Sequence, residues 1–361
     1  MHKKGNNMLK EFKRIKLIFI MMVMLILNGC SGGSNEKEVE SKVENEVGST
    51  TENNDEEDKE GEEDEEDEED EYAFAKIDAI LIEDRLIEDR EGTMVLIPDT
   101  AERIISMAPS ITETLVNLGL GDNIVGVDFY SLGVEGISQD LPSFDLMTPN
   151  IEEMIELEAD ILFSSGMSNA DGSNPFVQLV GAGAFITSIP TPTSIDGMIE
   201  DILFIGGITE TSEKAEEIVE KFESELKEIE DLVEEYLKEN PREEDLKVYF
   251  ETSPAPYMYS FGNEVFLNEY LEILELENIF SDQDGWLAVS DEQVLERNPD
   301  IIFTNATYEE SPDEDIKNRD GWDSIKAVEN GQVYVIDGDR SARPNELSIE
   351  ALESMYEHIY E

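Results

Sequence analysis

The chain has 361 residues, of which 88 are Asp or Glu and 25 are Lys or Arg, so its formal net charge is −63. Because binding to nucleic-acid phosphates needs a basic surface, this balance excludes nucleic acid as a partner. A single cysteine excludes a disulfide framework, and the two histidines, His2 and His358, are too few for the imidazole-rich coordination of a zinc or manganese ion.

The first 29 residues have the pattern of a secretory signal peptide. Basic residues precede an apolar run from Leu17 to Leu27, which is too short to span a bilayer of ~30 Å. The run ends at Leu27-Asn28-Gly29-Cys30, and small residues before a cysteine resemble a bacterial lipobox. We therefore predict cleavage after residue 29 and lipidation of Cys30, which anchors the protein to the outer face of the cell membrane. A signal anchor with an incidental cysteine is the alternative.

Residues 30–71 are predicted to be a disordered acidic tether. From Ser31 to Glu71 the chain carries 21 acidic and 3 basic residues and very few apolar ones, so the segment repels itself and lacks a core. A spacer between membrane and folded domain is the first interpretation. A binding tail for a basic or metal partner is the second.

Residues 72–208 are predicted to form an N-terminal α/β lobe. After a hairpin within 79–97, short buried strands alternate with helical segments, the strands lying near 103–108, 123–127, 160–163 and 184–189. Alternation of this kind predicts a parallel, doubly wound sheet.

Residues 209–240 are predicted to form one long amphipathic helix. The segment contains no glycine or proline, and its apolar residues recur at helical spacing. At 1.5 Å per residue, about thirty residues span ~45 Å, which exceeds the width of one lobe. We interpret it as a connection to a second lobe at 241–361, although a surface helix on a single domain has the same pattern.

A recurrence supports the second lobe. The segment Asn150–Phe163 returns as Ser290–Phe303 at a constant offset of 140 residues, with a capping residue at the start and an acid two positions later, Glu152 or Glu292. The predicted fold is therefore α/β, with two doubly wound lobes joined by a single long helix and a ligand cleft between them.

Further motifs follow one another from Leu86 onward: Arg103-Ile-Ile-Ser-Met-Ala-Pro-Ser-Ile-Thr-Glu113, Leu118-Gly-Leu-Gly-Asp122, Asn150-Ile-Glu152, Asn278-Ile-Phe280, Trp286, Ser290-Asp-Glu-Gln293, Asn298-Pro-Asp300 and Gly331-Gln-Val-Tyr334. In their order and spacing this part of the chain resembles the helical-backbone (class III) solute-binding lipoproteins of ABC importers for iron-siderophore, haem and cobalamin.

The resemblance implies a rigid two-lobe clamp that binds its ligand between the lobes. It also implies that each lobe docks on one subunit of a permease dimer, coupled to an ATPase, through an exposed acid; the matching positions are Glu152 and Glu292. From the residues alone, both acids also suit the positive end of a helix macrodipole.

Loops beyond the carboxyl ends of the strands are expected to carry the ligand site. The candidates are Ser110, Phe129, Tyr130, Phe144, Met167, Tyr257, Tyr259, Trp286, Tyr308, Arg340 and Arg343. The set is largely aromatic, which suits a large ligand whose rings stack. Trp286 matches a ligand-stacking position of the cobalamin-binding relatives, whereas Arg340 and Arg343 suit the anionic oxygens of a ferric siderophore or, equally, a structural role.

We therefore expect an extracytoplasmic protein that captures a ferric siderophore or other iron complex, with a corrinoid such as cobalamin as the alternative. Haem ligation would require Tyr257 or Met167 in place of histidine. The sequence has no nucleophile elbow, phosphate loop or metal-ligand cluster, so we expect neither an enzyme, nor a resident cofactor, nor a bound structural metal. A surface sensor or adhesin that uses the same fold is a further alternative.

Overall fold

The computed structural model describes residues 86–90, 92, 94–98, 100–169 and 175–361. The predicted signal peptide, Cys30, the acidic tether and residues 72–85 lie outside the described residues. Within the described ranges, no helix is both long enough and apolar enough to cross a membrane.

The N-terminal lobe is a five-stranded parallel sheet with helices on both faces. A short antiparallel hairpin precedes it, in which Leu86 pairs with Leu96. In chain order the lobe contains β1 (Leu86–Glu88), β2 (Met94–Leu96), β3 (Ile104–Ser106), α1 (Pro109–Asn117), β4 (Ile124–Asp128), β5 (Ser143–Phe144), α2 (Ile151–Glu156), β6 (Ile161–Ser165), α3 (Val177–Gly181), β7 (Phe185–Ile189) and α4 (Ile195–Ile208). The sheet order is β5-β4-β3-β6-β7.

Both faces of this sheet are buried, which explains why its strands are continuous apolar runs. Ile104 and Phe163 contribute to the core on one face of the sheet, which also contains residues of α1 and α4. Ile105 and Leu162 point to the opposite face and share a core with Met154 of α2. The doubly wound N-terminal lobe predicted from the sequence is confirmed.

The connecting helix is α5 (Ser212–Glu239), with 28 residues. Its first part, including Ala215 and Val219, packs into the core of the N-terminal lobe, and Phe222, Ile229 and Val233 pack into the core of the other lobe. One rigid element therefore belongs to both cores, which limits bending between the lobes.

The helix begins at Ser212 rather than at Thr209, because the chain turns between α4 and α5. Glu210 adopts a left-handed backbone conformation there, with φ of 58°. After this turn α4 and α5 pack closely, since a Cβ on Gly206 would overlap the Cβ of Ala215. Glycine at position 206 thus permits the close approach of the two helices.

In chain order the C-terminal lobe contains β8 (Leu246–Glu251), β9 (Tyr259–Phe261), α6 (Phe266–Ile273), β10 (Leu276–Asn278), β11 (Trp286–Ala288), α7 (Asp291–Arg297), β12 (Ile301–Thr304), α8 (Pro312–Lys317), α9 (Lys326–Glu329), β13 (Val333–Val335), α10 (Gly338–Ala342) and α11 (Ile349–Tyr360). Its strands form a four-stranded parallel sheet of order β10-β8-β12-β13 and an antiparallel pair, β9 with β11. This second lobe confirms the two-lobe fold.

The 140-residue recurrence places α2 and β6 in one lobe, and α7 and β12 in the other, in matching local structures. Ser290 and Gln293 form a capping box at the start of α7, and Asn150 caps α2 in the same position. After each helix the chain passes through a left-handed residue, Glu158 with φ of 47° and Asn298 with φ of 46°. The repeated sequence therefore encodes a repeated helix–turn–strand unit.

An aspartate in each unit ties the turn to the neighbouring strand. The Asp160 carboxylate accepts a hydrogen bond of 3.0 Å from the backbone N–H of Arg103. The Asp300 carboxylate accepts one of 3.1 Å from the backbone N–H of Lys247. Each aspartate thus ties the first part of a neighbouring strand, β3 or β8, to the repeated unit.

Candidate functional site

A cleft of about 750 Å³ lies between the two lobes. The N-terminal lobe contributes the start of α1, the segment after β7 and one side of α4, and the C-terminal lobe contributes Trp286 and residues around α10. Most of the lining is apolar: Ala108, Pro109, Ile111, Leu146, Ile189, Pro190, Pro192, Met198, Ile202, Ile205, Ala342 and Pro344. The volume and the mainly apolar lining of this cleft suit a ligand with an extended apolar surface.

A chain of buried polar groups behind the cleft holds the turn that presents Tyr130. The Asp128 carboxylate accepts hydrogen bonds from the Tyr130 backbone N–H, at 2.8 Å, and from the Ser131 hydroxyl. The hydroxyl of Thr112 in α1 lies 3.0 Å from that of Ser131. Burial raises the pKa of Asp128. Because each of these polar groups has a hydrogen-bond partner, the turn and α1 are fixed relative to each other.

The side of α4 that faces the cleft carries a buried carboxylate, Asp201. The Arg90 Nε donates a hydrogen bond of 2.6 Å to it, and a second Arg90 nitrogen lies 2.6 Å from Glu200. Burial raises the pKa of Asp201 to about 6, because desolvation of the carboxylate outweighs the opposing effect of Arg90. The hairpin that precedes the N-terminal sheet is therefore tied to the cleft through an ion pair.

Trp286 forms the aromatic part of the C-terminal wall. It lies at the start of β11, opposite Phe261 of β9, and the two ring centroids are 5.9 Å apart in an edge-on arrangement. Phe261 is buried, whereas Trp286 is 49% exposed. One edge of the indole is thus fixed by packing, and its remaining surface is available to a stacking ligand.

Glu113 of α1 links the two lobes at the edge of the cleft. Its carboxylate lies 2.6 Å from Arg343 and 3.2 Å from Arg340, and it accepts a hydrogen bond of 2.7 Å from the Asn345 side-chain amide. Each arginine has a second acidic partner, Asp339 at 2.8 Å from Arg343 and Glu350 at 2.9 Å from Arg340. Both guanidinium groups are therefore held in an interlobe ion network.

A second carboxylate, Glu346, crosses the same boundary from the C-terminal side. It is buried and accepts hydrogen bonds from the Asn117 amide, at 2.6 Å, and from the Thr114 hydroxyl, at 3.3 Å. Burial raises the pKa of Glu346. The two lobes thus meet through polar groups with specific partners, which favours one relative orientation.

Only some of the candidate ligand residues are brought together. Ser110, Tyr130, Trp286 and Arg343 line the cleft. Arg340 belongs to the interlobe ion network and is outside the lining. The exposed aromatic residues Phe129, Tyr257, Tyr259 and Tyr308 also lie outside it.

Phe144 and Met167 are separate cases. Phe144 is 3% exposed and packs with Met154 in the core behind the sheet, a placement that corrects its assignment to the ligand site. The physical reason is that its strand, β5, directs this side chain to the covered face. Met167 lies in the 3-10 turn Gly166–Asn169 after β6, and its side chain is outside the described part of the structure.

Glu152 and Glu292 occupy the second position of α2 and α7, and both are exposed. Hydrogen bonds from its own backbone N–H and from the Ser290 hydroxyl hold the pKa of Glu292 below its usual value. Both acids are therefore accessible to a partner surface and compatible with a helix start.

Two parts of the cleft region, α4 and Glu113, were not predicted from the sequence. The apolar residues Met198, Ile202 and Ile205 have helical spacing after Ser194, which caps α4, and this signal indicated the helix but not its position at the cleft. No local pattern connects Glu113 with Arg343.

In the described ranges, no group of histidine, cysteine and acidic side chains is arranged to hold a metal ion.

Comparison with known proteins places the chain among extracytoplasmic binding proteins. Residues 104–340 match the family model described as periplasmic binding protein. An uncharacterized ABC transporter substrate-binding lipoprotein, YvrC of Bacillus subtilis strain 168, is 31% identical over 277 residues, which cover 76% of this chain and 85% of that protein.

Two further relatives carry a ligand in their names. The vitamin B12-binding protein of Vibrio cholerae is 26% identical over 73% of this chain and 90% of that protein. The crystal structure of a possible iron-binding, periplasmic solute-binding protein from Staphylococcus epidermidis aligns with a TM-score of 0.63 and 31% identity, covering 72% of this chain and 99% of that one.

Proposed function

Because this chain belongs to the periplasmic binding protein family, we propose that it is the extracytoplasmic substrate-binding lipoprotein of an ABC importer. It captures a ferric siderophore or other iron complex in the interlobe cleft and delivers it to a permease dimer with its ATPase. The observation that carries this proposal is the interlobe cleft of about 750 Å³, with its apolar lining and the half-exposed Trp286. Members of this family bind solutes and are not enzymes.

The second candidate ligand is a corrinoid. It is favoured by the likeness to the vitamin B12-binding protein over 90% of that protein's length. A corrinoid offers a broad ring edge, for which Trp286 and Tyr130 on facing walls provide aromatic surface.

Tryptophan fluorescence tests both candidates, because the chain has two tryptophans in different environments. Trp286 is half-exposed in the cleft, whereas Trp322 is buried and donates a hydrogen bond of 2.9 Å to Asp291. The full chain in non-ionic detergent is titrated with a ferric siderophore, haem and cobalamin in turn. We expect saturable quenching by one class, retained in Trp322→Phe and lost in Trp286→Phe. If none of the three ligands quenches either tryptophan, the proposed ligand class is wrong.

The lipid anchor is a separate part of the proposal and rests on the sequence at Leu27–Cys30. Incorporation of a radiolabelled fatty acid in bacterial cells measures it directly. We expect label in the wild-type chain and none in Cys30→Ser, which is released from the membrane. Equal labelling of the two forms would exclude lipidation at this cysteine.

A further inference from the structure

The cleft is poor in cationic side chains. From residue 104 to residue 213 the sequence contains no lysine, arginine or histidine, so the whole N-terminal wall of the cleft lacks a cationic side chain. Of the described residues that line the C-terminal wall, Arg343 is the one cation. Recognition of a polyanion therefore depends on Arg343 and its neighbour Arg340.

Neither arginine is available as it stands. Arg343 lies between Glu113, at 2.6 Å, and Asp339, at 2.8 Å. Arg340 lies between Glu113, at 3.2 Å, and Glu350, at 2.9 Å. An anionic ligand would therefore compete with two carboxylates at each guanidinium, and the buried carboxylate of Glu113, if displaced, would lose both of its cationic partners.

The remaining charges of the cleft are negative. Asp201 and Asp339 belong to the lining, and Arg90 balances Asp201 from behind while also contacting Glu200. The chain as a whole carries a formal charge of −63. A field of this sign slows the approach of anions and favours neutral or cationic solutes.

We infer that the ligand carries no net negative charge: it is an uncharged or cationic complex, not a polyanionic one. This inference deepens the proposed function and rests on it. It selects a neutral corrinoid or a neutral or cationic ferric hydroxamate over a ferric catecholate or a dicarboxylate such as haem.

Three probes of different charge test the inference with the full chain in non-ionic detergent. They are cyanocobalamin, which is neutral, a ferric tris-hydroxamate with a free ammonium group, and a ferric tris-catecholate, which is trianionic. Trp286 quenching gives the affinity of each. We expect the neutral or the cationic complex to bind at least about tenfold more tightly than the catecholate. The difference in affinity should become smaller as the salt concentration rises to ~0.5 M, because salt screens the repulsion between the catecholate and the acidic protein.

Two charge variants locate the effect. Glu113→Gln removes the carboxylate shared by both arginines, and we expect it to raise catecholate affinity by roughly tenfold. Glu277→Gln makes the same change in charge at an exposed site on β10, and we expect no effect on any probe. Equal responses of the two variants would mean that net charge alone, and not the cleft, sets the preference, which would contradict the inference.

Failure of the charge inference and failure of the proposed function give different results. If the catecholate binds as tightly as the other complexes or more tightly, with quenching that Trp286→Phe abolishes, the charge inference is overturned and the proposed function stands. If no complex of any charge binds, the proposed function fails and the inference fails with it.

Discussion

The interlobe network predicts a measurable role for Glu113 in stability. Glu113→Ala removes the carboxylate that contacts Arg340, Arg343 and Asn345, all of them from the other lobe. The side chain of Glu113 is 5% exposed, so water does not replace it freely. The substitution leaves the arginines with their own second partners and leaves the Asn345 amide with the Ser110 carbonyl, 3.2 Å away.

The magnitude follows from this geometry. Removing one partner of a buried ion pair destabilises a protein by ~3–5 kcal/mol. Here the side chains of Arg343 and Arg340 are 16% and 27% exposed, and each keeps a carboxylate, so part of that penalty is relieved. We expect Glu113→Ala to lower the free energy of unfolding by ~2–3 kcal/mol. Glu113→Gln retains a hydrogen-bond acceptor, so we expect it to lower the free energy of unfolding by about half as much.

Urea unfolding followed by circular dichroism measures the effect, and small-angle X-ray scattering shows whether the lobes separate. Glu216→Ala, an exposed substitution on α5, is the matched control and should change the free energy of unfolding by less than ~0.5 kcal/mol. A loss below ~1 kcal/mol for Glu113→Ala, with unchanged scattering, would refute the reasoning that this network holds the lobes.

Three further sets of substitutions test other parts of the structure. Gly206→Ala forces apart α4 and α5 and should destabilise the protein by ~1–3 kcal/mol, whereas Gly207→Ala, with open space at its Cβ, should be neutral or stabilising in the same urea titration. Burial raises the pKa of Asp201 from 3.8 to about 6, so between these pH values the folded state holds a proton that the unfolded state releases. The free energy of unfolding should therefore fall as the pH rises from 4 to 6, and this fall should be smaller in Asp201→Asn. The pair Glu152→Gln and Glu292→Gln should lower ligand uptake by cells while leaving the fluorescence-measured ligand affinity unchanged.

Each of these predictions has an outcome that contradicts it. Equal stabilities of the two glycine variants would show that the helix contact tolerates a methyl group. A pH profile in Asp201→Asn that parallels the wild type would place the proton elsewhere. Loss of ligand affinity in the double glutamine variant would assign the two acids to the ligand site or to folding, and not to docking.

Much of the fold could be predicted because its signals are local. Strand–helix alternation, the glycine-free apolar pattern of α5 and the capping residues at Asn150 and Ser290 each depend on neighbours a few residues away. The repeated segment added a second lobe to that prediction, since two copies of one unit need two sheets. The start of α5 was predicted three residues too early, because periodicity does not reveal a turn through Glu210.

The candidate site could be predicted only in part. Tyr130, which follows β4, and Trp286, which begins β11, lie at the cleft as expected, whereas Phe144, the last residue of β5, is buried in the core. An aromatic residue at a strand end can face either a ligand or a helix behind the sheet. Which face it takes depends on packing that sequence spacing does not report.

By itself the sequence determined the α/β pattern, the long helix, the repeated unit and the absence of cations from residue 104 to residue 213. The tertiary structure alone decided that Arg343 pairs with Glu113, 230 residues away, and that α4 supplies one side of the cleft. The physical reason is the sequence separation over which each kind of interaction acts. Propensity, capping and periodicity act over a few residues, whereas an ion pair between lobes forms only after both cores and the helix between them have fixed where each side chain lies.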